Sequence, residues 1–126
     1  MMNTLLVEDN ATFRLVIKET LVMKFPSMSI DEAEDGKEAM EKVDRHSFDL
    51  IFMDIKLPGE NGLVLTEKIK KLSPHVVIII LTDYDLPEYR EAAHQSGADH
   101  FLVKASTTAN EIVELVESLF PSKVSS

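Results

Sequence analysis

The chain has 126 residues, 44% of them apolar and 28% charged, which suits one globular domain with a hydrophobic core of its own. With 22 acids against 13 bases the formal charge is −9, and the densest basic group, Lys68, Lys70 and Lys71, reads as a solvated helix face, so direct nucleic-acid binding is excluded as an expectation. The chain has no cysteine, which excludes disulfides and thiolate metal sites; it shows no signal peptide and no apolar run of membrane length, so a cytoplasmic domain without membrane contact is expected.

Taken in chain order, Thr4 to Val7 is an apolar run that predicts a buried strand. Residues 11 to 24 predict a helix with Phe13, Val16, Ile17 and Leu21 on its core face. Met28 to Ile30 opens a less apolar strand, and Glu34-Asp35-Gly36 is a turn. Lys37 to His46 is helical in pattern, with Ala39, Met40 and Val43 inward. Leu50 to Met53 is a third strand, and Gly62 to Leu72 a helix with Leu65, Ile69 and Leu72 on its core side. Six apolar residues, Val76 to Leu81, predict a central strand buried on both faces. Leu86 to Ser96 is a helix closed by Gly97 as a left-handed cap. His100 to Val103 is the fifth strand, and Thr108-Ala109-Asn110-Glu111 fits a capping box for a last helix striped by Ile112, Leu115, Val116 and Leu119. Pro121 ends it, so residues 1–120 are expected to form the domain and 121–126 a tail or the start of a linker.

Five βα repeats with fully apolar strands predict an α/β domain: a five-stranded parallel sheet, doubly wound, with helices on both faces. The flavodoxin-like order 2-1-3-4-5 fits the length best, and in such sheets ligands gather outside the carboxyl ends of the strands. Those ends carry the chemistry. The first strand runs into Glu8-Asp9, the third into Asp54, the fourth into Thr82-Asp83 and the fifth into Lys104. Each piece has a plainer reading, such as Glu8-Asp9-Asn10 capping the first helix. Their convergence on one rim has none. Acids about 4 Å apart repel by on the order of 4 kcal/mol per pair at an effective dielectric near 20, and Lys104 offsets only part of this. A hard divalent cation, Mg²⁺, is the natural remedy for an all-oxygen set. The histidines, at 46, 75, 94 and 100, fall at no ligand spacing. A metal beside a strand-end carboxylate points to phosphoryl chemistry, with Asp54 as nucleophile, Lys104 and Mg²⁺ neutralising the phosphoryl oxygens, and Thr82 donating a hydrogen bond.

The stretches LLVEDN, EDGKEAME, DLIFMDIKLPGENG, IIILT and GADHFLVKAS together resemble the receiver domain of two-component response regulators, from Leu5 to about Phe120. Lys104-Ala105-Ser106 is similar to the variant in the NarL/LuxR-like class, whose members carry a C-terminal DNA-binding effector domain. The resemblance implies that Asp54 accepts phosphate from a sensor histidine kinase or phosphotransfer protein. It implies that Glu8, Asp9, Asp54 and the backbone carbonyl of Lys56 hold Mg²⁺, that Lys104 contacts the phosphoryl group, and that Thr82 and Phe101 are the switch pair. The surface of the fourth helix, fifth strand and fifth helix would then change, for a partner, a second copy or an effector domain. The domain would be regulatory, promoting its own phosphotransfer and a slow loss of phosphate.

Three departures stand out. Ala105 replaces a common proline, so a trans bond is expected after Lys104. Asp83 stands where a small residue is usual, either repelling phosphate or recruiting a water. Lys56 and Tyr84 are bulky at positions that, by resemblance, flank the hydrolytic water, and are expected to slow dephosphorylation. Against a dehalogenase-like phosphatase, Lys56 stands where a second Asp is needed; against a flavin module, Glu8-Asp9 would repel the phosphate. A phosphate-independent interaction scaffold is the remaining alternative.

Overall fold

The order of strands along the sheet is β2-β1-β3-β4-β5, all parallel. In the computed structural model, which describes residues 2–121, the elements are β1 (Asn3–Val7), α1 (Ala11–Lys24), β2 (Ser29–Ala33), α2 (Gly36–Arg45), β3 (Leu50–Met53), α3 (Gly62–Leu72), β4 (Val77–Thr82), α4 (Pro87–Gln95), β5 (His100–Val103) and α5 (Ala109–Leu119). The expected tail, 121–126, lies outside the described residues after Pro121. Among the described residues no helix is long and apolar enough to cross a membrane.

Alternation along each strand divides the core in two. On one face Leu6, Phe52, Ile79 and Leu81 meet Ile17 and Leu21 of α1 and Ile112 and Val116 of α5. On the other Leu5, Ile51, Met53, Ile78 and Ile80 meet Ala39, Leu65, Ile69 and Ala93 of α2, α3 and α4. The three inner strands are apolar at nearly every position because both faces are covered. Parallel pairing places Val7 opposite Met53, Met53 opposite Ile80, and Thr82 opposite Val103, so every polar strand end emerges at one edge.

Helix starts are set locally. Asn10 Oδ1 accepts the Phe13 N–H at 3.0 Å, and Asp35 Oδ1 accepts the Glu38 N–H at 2.8 Å. The expected capping box is present: Thr108 Oγ1 accepts from Glu111 N–H at 3.1 Å, and Glu111 returns the bond to Thr108 N–H at 3.0 Å. Such boxes contribute about 1 kcal/mol. Gly97 ends α4 at φ +98, in the left-handed region its sequence position predicts.

The second strand, which opens in the expected stretch, runs from Ser29 through Ala33. Asp31 and Glu32 tolerate an edge strand because Lys42, Lys18 and Arg14 neutralise them. For both acids burial works against ionisation, yet these hydrogen bonds and charges hold the pKa below the ordinary value. Two expectations need correction, both of side chains placed in the core: Val16 is 51% exposed and Leu72 59% exposed. Val16 lies at the flank of the stripe formed by Phe13, Ile17 and Leu21 at four-residue steps. Leu72 is the last residue of its helix.

Candidate functional site

Four strand ends build the site. Glu8 follows β1, Asp54 follows β3, Thr82 ends β4, and Lys104 opens a single 3-10 turn, Lys104–Ser106, directly after β5. Asn10 rather than Glu8 or Asp9 caps α1, while Glu8 Oε2 accepts the Asn10 N–H at 3.1 Å. Glu8 and Asp54 are buried, as is Thr82, whereas Asp9 is exposed. One oxygen from each of Glu8, Asp9 and Asp54 falls within 4.8 Å of the others. Crowding of this kind is what a divalent cation relieves.

The lysine is held at the centre of the crowd. Its Nζ donates to Glu8 Oε1 and, at 3.2 Å, to Asp54 Oδ2. Asp54 Oδ1 in turn accepts the Ile55 N–H at 2.8 Å, which fixes the plane of the carboxylate. Burial pushes the Glu8 carboxyl up to about 7 even though Lys104 hydrogen-bonds to it, and the charge on Asp54 adds to the rise. Burial disfavours the Lys104 ammonium, but the bond to Glu8 and the charges of Asp54 and Glu8 outweigh it and hold its pKa above the ordinary lysine value. The surroundings of Lys104 thus favour its charged form.

An open cleft joins these groups. It is lined by Glu8, Asp9, Asp54, Lys56, Thr82, Asp83, Tyr84 and Lys104, so the expected metal, phosphoryl and tuning positions lie together. The hydroxyl of Thr82 accepts a weak bond from the Tyr84 N–H at 3.4 Å. Lys56 and Asp83 are exposed at the rim, and Tyr84 is half-buried with its ring stacked on Tyr89, centroids 4.6 Å apart. Phe101 stands apart from the cleft, packed against the α2–α4 side of the core with the Arg90 guanidinium 4.7 Å from its ring centroid. The described residues contain no cis peptide bond, as Ala105 leads one to expect.

Two participants were not read from the sequence. Arg14 of α1 donates to the Glu8 backbone carbonyl at 2.6 Å while pairing with Glu32, which anchors the acidic loop. Phe13, read only as core, lies beneath the Lys104 ammonium with its ring centroid 4.4 Å from Nζ. Neither shows in a linear pattern, because each depends on how α1 is rolled against the sheet.

A doubly wound five-stranded sheet carrying this acidic, lysine-bridged edge is the architecture of a regulatory receiver domain. The chain belongs to the response regulator receiver domain family, whose sequence profile matches residues 4–117. It is 32% identical over 94% of its length to the oxygen regulatory protein NreC of Staphylococcus carnosus, of which it spans 55%. It spans about half the length of most of the curated relatives it matches. Among solved structures, response regulator TrrA of Thermotoga maritima, in complex with Mg²⁺ and BeF, is 35% identical with a TM-score of 0.82, covering 94% of this chain and 99% of that one. A LuxR-family two-component response regulator from Aurantimonas is 25% identical with a TM-score of 0.84, covering 97% of this chain and 86% of that one. The domain is thus a two-component receiver module, and a LuxR-family regulator is among the structures it resembles.

Proposed function

We propose that Asp54 is the phosphoacceptor, taking a phosphoryl group from the phosphohistidine of a sensor histidine kinase or phosphotransfer protein in a Mg²⁺-dependent reaction. The observation that carries this reading is the meeting of one oxygen each from Glu8, Asp9 and Asp54 within 4.8 Å, with Lys104 bridging Glu8 and Asp54. The donor set fits magnesium: oxygen ligands only, few of them from protein, in a cleft open to water. Glu8, Asp9, Asp54 and the backbone carbonyl of Lys56 would hold the ion. Bound there, it would supply positive charge to the phosphoryl oxygens.

The chain's own residues supply the rest. An Asp54 oxygen forms a bond to phosphorus, the phosphorus–nitrogen bond of the donor breaks, and the imidazole leaves with the electron pair. Lys104 shifts its hydrogen bond from Asp54 to a phosphoryl oxygen, and Thr82 donates its hydroxyl to another. The acyl phosphate adds about −1.5 to −2 charge at one point. Thr82 and, behind it, Phe101 move in response, and the surface of α4, β5 and α5 shifts toward the state that contacts phosphate better. That surface serves a partner, a second copy of the domain or a C-terminal effector. On this reading residues 1–120 are the receiver domain, 121–126 are assigned as a tail or the start of a linker, and the protein works in the cytoplasm.

Incubation with acetyl phosphate and Mg²⁺, followed by intact mass, tests the central assignment. The native chain gains one phosphoryl mass and Asp54→Asn gains none. No gain in the native chain, or equal gain in the variant, overturns it. Lys56 and Tyr84 line the cleft, and by resemblance to the family they flank the path of the hydrolytic water. Tyr84→Ala is therefore expected to shorten the phosphoryl lifetime. A lifetime equal to or longer than that of the native chain would count against a shielding role.

A further inference from the structure

Lysine offers three donors on a compact, strongly hydrated head. At Lys104 two directions are taken by Glu8 and Asp54, and its side chain is only 10% exposed. A third neighbour is the ring of Phe13, with its centroid 4.4 Å from Nζ. That is inside the about 6 Å reach of a cation–π contact. Phe13 sits in the first turn of α1, its own N–H held by Asn10 and its ring packed on the α1–α5 side of the core.

We propose that Phe13 is a positioning residue for phosphoryl capture, its ring face holding the Lys104 ammonium in place while that ammonium exchanges Asp54 for a phosphoryl oxygen. This rests on the acceptor role of Asp54 proposed above. Phe13 shares its pocket with Leu6, Ile17, Phe52 and Leu81 as well as Glu8 and Asp54, so an aliphatic residue there would leave the ammonium without an attractive group on its apolar side. A charged head so placed is drawn toward water and away from the carboxylates. The aromatic quadrupole attracts the cation without competing for the phosphoryl group and without offering it a proton acceptor. In the transfer itself the Asp54 oxygen–phosphorus bond forms and the donor leaves with its electron pair. Lys104 remains protonated throughout, which makes its location rather than its acidity the controlled quantity. Phe13 touches neither phosphorus nor the metal ligands' oxygens in this scheme; it acts through Lys104.

The test compares Phe13→Leu, which keeps an apolar filler without a ring, with Phe13→Tyr, which keeps the ring. Three readouts are taken: the rate of phosphoryl mass gain from acetyl phosphate, Mg²⁺ affinity by titration calorimetry, and the ring-current shift of the Lys104 side-chain protons by NMR. Phe13→Leu slows uptake several-fold, loses the upfield shift and leaves Mg²⁺ affinity unchanged; Phe13→Tyr restores both rate and shift. Native uptake in Phe13→Leu, or a Tyr variant as slow as the Leu variant, overturns the proposal. A general loss of Mg²⁺ affinity in Phe13→Leu also overturns it, because that outcome means the site has collapsed. If the Leu variant does not fold, Phe13→Met takes its place under the same criteria. Failure of the native chain to take phosphate refutes the acceptor assignment and this role with it. The NMR shift still judges the ring contact separately.

Discussion

Gly62→Ala is expected to destabilise the domain by about 3 kcal/mol or more, at the upper end for overpacking, and to abolish phosphoryl uptake. A Cβ built on Gly62 would lie 1.9 Å from the carbonyl oxygen of Asp54, 2.8 Å from its carbonyl carbon and 3.0 Å from the Ile55 Cα. All three are backbone atoms, so no side-chain rotation relieves the clash. The Gly62 N–H also donates to Ile55 O at 2.8 Å, which ties the start of α3 to the loop after β3. Relief therefore requires moving either the helix or the Asp54 backbone. The first weakens the packing of Leu65 and Ile69, which are fully buried. The second displaces the carboxylate from Lys104. Urea unfolding measures the stability loss, and intact mass after acetyl phosphate treatment measures the functional one. Native stability in the alanine variant would show that the approach of helix to strand end is not as close as described.

Lys104→Met is the second large effect, and it separates two roles of one side chain. The Glu8 and Asp54 side chains are each 8% exposed, and Lys104 is their shared counter-ion. Removing the cation leaves two neighbouring carboxylates uncompensated. Breaking a buried pair this way costs about 3–5 kcal/mol, with the lower end expected because the site opens to a water-filled cleft. In chelator the methionine variant should unfold at clearly lower urea than the native chain. Adding Mg²⁺ should recover much of the difference, since an ion bound only by the folded state stabilises it by mass action. Phosphoryl uptake should stay low even with Mg²⁺, because the ion restores charge balance but not the ammonium proposed to meet the phosphoryl group. Unchanged stability in chelator would mean that Glu8 and Asp54 do not depend on Lys104 for neutralisation.

Much of this site was legible because parallel sheets expose strand ends in sequence as abrupt changes from apolar to charged. Leu50 to Met53 running into Asp54, and the six-residue apolar run ending at Thr82, mark both strand and edge. The strand order then follows from few choices, and the order alone brings Glu8, Asp54, Thr82 and Lys104 together. Periodicity was less reliable at the flanks of helices. It marks a broad face, and residues at its border, such as Val16, or at a helix end, such as Leu72, fall outside the packed region. What stayed hidden depended on distances between backbones. Gly62 reads as an ordinary helix start, yet it is the residue against which the Asp54 peptide rests. Phe13 reads as core, yet its ring lies against the Lys104 ammonium, a relation fixed by the rotation of α1 about its own axis.

The two margins of the sheet also limit how this domain can meet others. At one margin β2 presents Asp31 and Glu32, each engaged by a cation from a neighbouring helix. At the other β5 is four residues long, and the carbonyl of Phe101 already accepts from Arg90 at 3.4 Å. Charged and short borders are poor templates for a foreign strand. Recognition must then fall to side chains displayed on helices and loops, so partner choice can diverge by surface substitution while the hydrogen-bonded ladder stays untouched.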